Sequence, residues 1–209
     1  MTMMQMMLGA GGSVQIVGAT STEMLSDSTS ILIAKPANTV AGDVLMVFLG
    51  NGGNWSYTQP AGWAEVLDTG NTNVGCVAWL ELTGSEGADF TWTLSSNHKA
   101  SGAIVALRGC DYGTIGTPGA DDATTICPEI TLASRGLVLA LLASQEDGIW
   151  DVASGWERVI RVVASGNAPN IDIQARAFEA GPTGDQTFAG SGAAVSSRYE
   201  GVLVGFPVA

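Results

Sequence analysis

The stretch GDVLMVFLGNGGNWSYTQPAGW, residues 42–63, decides how this chain is read. It opens on an apolar strand-like run, passes through a polar loop carrying two aromatics, and closes on a Gly-Trp corner. The same plan returns at 135–156 as RGLVLALLASQEDGIWDVASGW. At a constant offset of 93 positions Val44 falls on Leu137, Tyr57 on Trp150, Gly62 on Gly155 and Trp63 on Trp156. The register holds through Glu65-Val66-Leu67 against Arg158-Val159-Ile160 and then slips by a few residues. Looser echoes pair Ile31-Leu32-Ile33 with Thr125-Ile126-Cys127, Gly84 with Gly181, and residues 89–92 with 185–188. The chain reads as a duplicated scaffold.

Outward from these stretches the pattern is β throughout: short apolar runs with period-two alternation, bounded by Gly, Pro, Asn, Asp and Ser. Strands are expected near 13–19, 30–34, 43–49, 64–69, 74–82, 89–94 and 100–108, and again near 124–127, 137–144, 157–163, 171–179, 186–189 and 198–206. No segment carries a helical period with caps, and Pro36, Pro60, Pro118, Pro128, Pro169 and Pro182 fall at the joints, where a missing donor harms no ladder. Each half holds roughly five strands, and one such unit leaves a sheet face uncovered. The leading architecture is therefore one all-β, jelly-roll-like β-sandwich over residues 14–209, built by closing pseudo-repeats of about 29–111 and 123–206 face to face. Two tandem small sandwiches are the alternative. Residues 109–122 cross between the halves in either case.

At 209 residues the chain can bury ~70% of the surface of its unfolded form, enough for a core without metal or disulfide staples. Its net charge of −12, with Lys35 and Lys99 its only lysines, offers no basic face to phosphates, so nucleic acid is not an expected partner. Charged residues are 13% of the chain against a usual ~25%, a profile suited to a surface largely covered by neighbours and shared by compact secreted β-domains. Cys76, Cys110 and Cys127 show no metal-binding spacing; buried free thiols are one reading and a Cys110–Cys127 bridge the other. The longest apolar run, 137–143, is far short of the ~20 residues that span a bilayer, so no membrane insertion is expected. No Lys or Arg precedes Lys35, so a secretory signal is not supported.

Residues 1–13, MTMMQMMLGAGGS, read as an apolar head on a flexible joint. Met1, Met3, Met4, Met6, Met7 and Leu8 would be exposed for no gain in a free tail, and methionine adapts to irregular grooves. The arm is expected to dock, either on another subunit or as a clasp on its own sheet. Gly9, Gly11 and Gly12 do not make a dinucleotide loop, because Val14 stands at the sixth position of the pattern.

No constellation carries recognisable catalysis. His98, the only histidine, is expected in a hairpin turn over 95–99, and no nucleophile elbow accompanies it. Zinc lacks a ligand set. Loop carboxylates Asp111, Asp121 and Asp122, or Asp147 and Asp151, are of the type that shares a calcium ion or simply stays solvated. No cofactor is expected. Trp63 and Trp156 are expected to plug the two ends of the core. Trp55, Tyr57 and Trp150, in loops with Asn51, Asn54, Gln59, Glu146 and Asp147, suit either surface recognition of a sugar or protein, or lids over the ends of the sandwich.

The series AGDVLMVFLG (41–50), PAGW (60–63), EVLD (65–68), VAWLELTG (77–84), DFTWTLS (89–95) and IVALRGCD (104–111) resembles a recurrent β-domain of tailed-bacteriophage structural proteins. In that family the order runs PAGDVLV, PAGW, Tyr-Lys-Ala, YTFT and V-A-YRG. Residues 30–111 match it well and the second half in outline. Trp79-Leu80-Glu81 replaces the Tyr-Lys pair and Leu107 the usual Tyr, so no ligand role transfers to those positions. The resemblance implies a non-enzymatic virion protein of the tail tip, tail fibre or capsid decoration, made in the host cytoplasm and located in the virion. Its expected partners are other virion proteins, and its expected state is a homotrimer or other symmetric homo-oligomer attached through the N-terminal arm. A carbohydrate-binding module for a host surface glycan is the alternative.

Overall fold

The computed structural model describes residues 13–50, 55–68, 74–119, 124–144, 148–164, 168–191 and 199–209, and every regular element among them is a β-strand. In the first half, β1 (Gln15–Glu23), β8 (Ser101–Arg108), β3 (Val44–Gly50), β6 (Val74–Glu81) and β5 (Ala64–Asp68) lie side by side in that order as one antiparallel sheet. A smaller sheet of β2 (Ser28–Ala34), β7 (Asp89–His98) and β4 (Tyr57–Thr58) covers one of its faces. The second half repeats this. β9 (Thr114–Ile115), β18 (Tyr199–Pro207), β12 (Gly136–Ser144), β15 (Asn170–Phe178) and β14 (Glu157–Val162) form its five-stranded sheet. β10 (Thr124–Cys127), β17 (Gln186–Ser191) and β13 (Ile149–Trp150) form its small one, beside a short ladder of β11 (Thr131–Leu132) and β16 (Gly181–Pro182). Setting that ladder aside, both halves follow one winding: first, eighth, third, sixth and fifth strands in the large sheet; second, seventh and fourth in the small.

The alternation along β3 explains the layering. Val44, Met46 and Phe48 point into a core shared with the other half, whereas Leu45, Val47 and Leu49 point into the core beneath the half's own small sheet. In β12, Leu137, Leu139, Leu141 and Ala143 face the shared core, and Val138, Ala140 and Leu142 the private one. Each five-stranded sheet is thus buried on both faces, and the described residues form four layers with three cores. The halves meet face to face as an all-β sandwich, as expected from the repeat, and each half in addition carries a small sheet of its own. The reason is that strands apolar on both sides need cover on both sides.

The crossing segment is also more than a connection. Cys110 bridges to Val208, and Gly113, Gly116 and Gly119 donate their N–H groups to Gly205, Leu203 and Gly201, so residues 110–119 run antiparallel along β18 as its edge partner. A Cβ on Gly113 would strike Pro207, and one on Gly119 the carbonyl of Ile126, so only glycine permits this approach. β1 and β9 are the first strands of their halves, which extends the repeats beyond the sequence-based limits. The two-residue strands β4, β9, β11, β13 and β16 were not expected. β7 runs on to His98, through most of the hairpin turn expected over 95–99.

Two polar ties hold the ends of the stack. Asp43, buried at the head of β3, takes Arg108 Nε at 2.7 Å and Arg108 Nη2 at 2.8 Å, and also accepts Val40 N at 2.8 Å, fixing the turn before the strand. Between the halves, buried Glu200 on β18 accepts Val74 N at 3.1 Å.

Trp63 and Trp156 sit at matching places in the two private cores. Each meets the ring opposite it edge to face at 5.1 Å and 70°, Trp63 against Trp92 and Trp156 against Phe188. Changing either to Ala is expected to lower unfolding free energy by ~3–5 kcal/mol. Chemical denaturation of the two variants checks this, and parental midpoints would show the rings to be dispensable.

Candidate functional site

The three rings that suited either surface recognition or lids over the sandwich ends are enclosed. Trp55, Tyr57 and Trp150 are 6%, 4% and 1% exposed. Trp55 is covered by His98, stacked at 4.1 Å and 6°. Tyr57 and Trp150 belong to β4 and β13, whose pairing with β7 and β17 turns one side chain of each short strand inward. The Tyr57 hydroxyl donates to Gly50 O at 2.8 Å, and burial pushes its phenol up from the ordinary value. All three rings act as lids, because enclosing such a ring is worth a few kcal/mol that stacking on solvent forgoes. The arm residues Met1, Met3, Met4, Met6, Met7 and Leu8, like Asn51, Asn54, Asp121, Asp122, Glu146 and Asp147, lie outside the described residues. Among the described residues no group of three or more His, Cys, Asp or Glu is placed to hold a metal ion.

What the structure does bring together is a pair of equivalent flanks at the free edges of the two large sheets. β5 carries Glu65-Val66-Leu67-Asp68 and β14 carries Arg158-Val159-Ile160-Arg161. Both strands are bulged at the same residue, Val66 in one and Val159 in the other. In a regular strand, residues three apart lie on opposite faces; one extra residue in a bulge returns them to the same face. The two aliphatics therefore turn to the shared core, where Val66, Leu67, Val159 and Ile160 pack. Both charged residues turn to the small-sheet side.

On the first flank, Glu65 accepts a hydrogen bond from Gln59 Nε2, and Asp68 accepts Tyr57 N at 3.2 Å. Gln59 also approaches the Cys76 sulfur at 3.6 Å. On the second, Arg158 Nε and Arg161 Nε donate to Asp172 Oδ2 at 2.8 and 2.9 Å, and the Nη2 of each donates to Trp150 O, from Arg158 at 2.7 Å. Asp172 is one of three polar residues on the same face of β15. Asn170 Nδ2 donates to Gly148 O at 2.8 Å, and Gln174 donates to Asp151 O at 2.9 Å and accepts Ala153 N at 3.1 Å. This polar rail fixes the segment 148–153, which contains β13, and with it the Trp150 lid. Burial pushes the Asp172 carboxyl above the ordinary carboxylate range, and the two guanidiniums pull against that shift. The signal for the rail was the alternation Asn170, Asp172, Gln174, whose polar side reads by default as solvent-facing.

The three cysteines are free and buried, one in each core: Cys76 in the first private core, Cys110 in the shared core and Cys127 in the second private core. A Cys110–Cys127 bridge is thereby excluded. Burial pushes the Cys76 and Cys110 thiols up to about 12 and raises Cys127 as well, so none supplies a thiolate nucleophile.

No family model, no curated protein and no solved structure matches the chain.

Removing the Asp172 carboxylate would leave two guanidiniums uncompensated beneath the lid. Asp172→Ala is expected to cost roughly 2–4 kcal/mol of stability, at or below the usual range for a broken buried pair because both arginines keep some water contact. Denaturant titration checks it, and a loss under 1 kcal/mol would mean that the rail holds without its charge. The thiols give a second test. A thiol reagent at about pH 8 should leave all three unmodified in the native protein and label all three after unfolding, as read by mass spectrometry.

Proposed function

We propose that this protein is a non-enzymatic structural component of a tailed-bacteriophage virion, an all-β block that assembles as a symmetric homo-oligomer and binds other virion proteins. The observation that carries the reading is the pair of outer sheet faces. In the first half Ser30, Leu32 and Ala34 of β2 pair with Thr93, Thr91 and Asp89 of β7 and are exposed. In the second half exposed Ile126 pairs with Thr187. Leu32 and Ile126, 51% and 45% exposed, stand at equivalent positions, each opposite a threonine. Outer faces of mostly small residues around one exposed aliphatic, with Asp89 at the end of the first, are suited to contact with neighbouring proteins.

Two further features support it. The winding of each half, with its third strand beside its sixth and eighth and its second beside its seventh, reads as jelly-roll-like, and double-sheet jelly rolls are common in capsid proteins. The motifs of residues 41–111 that resemble phage β-domains fall on β3, β5, β6, β7 and β8, the frame of the first half, with PAGW in the turn that leads into β5. Glycan recognition loses its basis, since the rings a sugar would stack on are lids.

The arm of residues 1–12 serves as the attachment segment in this reading. Deleting it is expected to leave a folded domain of nearly unchanged stability that is no longer incorporated into particles. Immunoblotting of purified particles from cells supplying the full or truncated chain checks this. Incorporation of the truncated chain at the parental level would overturn the arm's role, and absence of the full chain from particles would overturn the virion reading.

A further inference from the structure

The two flanks have the same backbone and inverted charge. Glu65 and Asp68 stand where Arg158 and Arg161 stand, on strands bulged at the same residue, with two aliphatics between the charges in each case. They cannot meet within one molecule. β14 packs over β1 and β8, and β18 over β6, so β5 and β14 occupy opposite edges of the central double layer. Four strand spacings, roughly 19 Å, separate them.

We propose that the acidic flank of one copy docks on the basic flank of a second copy, head to tail, bringing Glu65 and Asp68 of one subunit against Arg158 and Arg161 of the next. This deepens the structural reading above, and rests on it, by naming the surface through which copies associate. Charge complementarity selects the occupant. In a chain of net charge −12 with eight basic residues, a paired-arginine edge is the unusual feature, and the matching acidic edge is on the same chain. The arginines remain available: each guanidinium has five N–H donors, while Nε and Nη2 serve Asp172 and Trp150, and the side chains are 29% and 24% exposed. Glu65 is exposed on its strand. The bulges skew both edges, so the contact is made by side chains and not by strand addition. A heterologous contact of this kind closes into a ring where the rotation permits and otherwise grows as an open chain.

Sedimentation velocity on the full chain tests the proposal. The parent is expected to associate beyond a dimer with rising concentration, and association should weaken about tenfold or more on going from low to high salt. Glu65→Lys should weaken it by about tenfold or more at low salt, with Glu65→Gln intermediate. Glu65→Lys keeps its basic flank, so adding it to the parent should cap growing assemblies and shorten them. Glu65→Gln removes only an exposed charge and keeps the test readable if the reversal disturbs folding. A parent that stays monomeric at about 100 μM in low salt, or a Glu65→Gln variant that associates as the parent does with no dependence on salt, overturns the proposal. Neither outcome bears on whether the protein is found in particles, which tests the structural reading itself.

Discussion

Burial of both faces of the two five-stranded sheets is the constraint on which the rest of the structure depends. An antiparallel sheet commonly keeps one face wet and alternates apolar with polar residues along each strand. Here β3 and β12 are buried along their whole length, and β8 nearly so. A polar group in this region must bring its own partner or lose the solvation it had. Asp43 does so with Arg108 and the preceding turn, and Glu200 does so by reaching the other half at Val74 N. The low charge content follows from the same geometry, because only the outer faces of two small sheets, the edges and the loops are left to carry charge.

Full burial of the large sheets moves the problem to their edges. β5 and β14 have one neighbour each, and an unpaired edge invites another strand. Both are bulged, as is β1 near Val17. A bulge breaks the row of donors and acceptors that a foreign strand would read. On β5 and β14 it does a second thing, aligning charges three residues apart on one side while the intervening pair of aliphatics seals the shared core. One local distortion therefore both blunts strand addition and creates a charged flank.

Much of the fold was legible in the sequence, for reasons that mark where the rest was not. The repeat between residues 42–63 and 135–156 shows in the structure as the same strand-loop-strand unit, and the Gly62-Trp63 and Gly155-Trp156 corners keep a positive φ on each glycine, 91° and 79°. The strand runs were legible because four to ten alternating or apolar residues give a period to read. β4, β9, β11, β13 and β16 have two residues each, and no period exists over two residues. Missing β4 and β13 is what left Tyr57 and Trp150 as loop residues, open to a recognition or a lid reading alike. Missing β9 hid the first strand of the second half. Counting strands without them gave each half one sheet instead of two. The charged flanks were printed plainly as EVLD and RVIR, but their shared face depends on a bulge, and a bulge has no signature in residue type at Val66 or Val159.

The two halves also show how one scaffold sustains different interiors. With the register slipped by three residues after the corner, Cys76 and Ala78 of β6 answer Asp172 and Gln174, two of the three polar residues on one face of β15. Cys76 and Ala78 line an apolar private core, whereas the β15 trio forms a buried polar rail. The rail is tolerated because the segment 148–153 offers its backbone carbonyls and N–H groups to it, and Arg158 and Arg161 supply the charge that Asp172 needs. The first half, lacking a buried acid on β6, needs no such cations and carries Glu65 and Asp68 at those positions instead. Charge inversion at the flanks is thus tied to what lies beneath them: the arginines answer an interior carboxylate, and the acids stand over a neutral thiol. The opposite signs of the two edges follow from how each half packs, and head-to-tail docking would use a difference that the interiors already require.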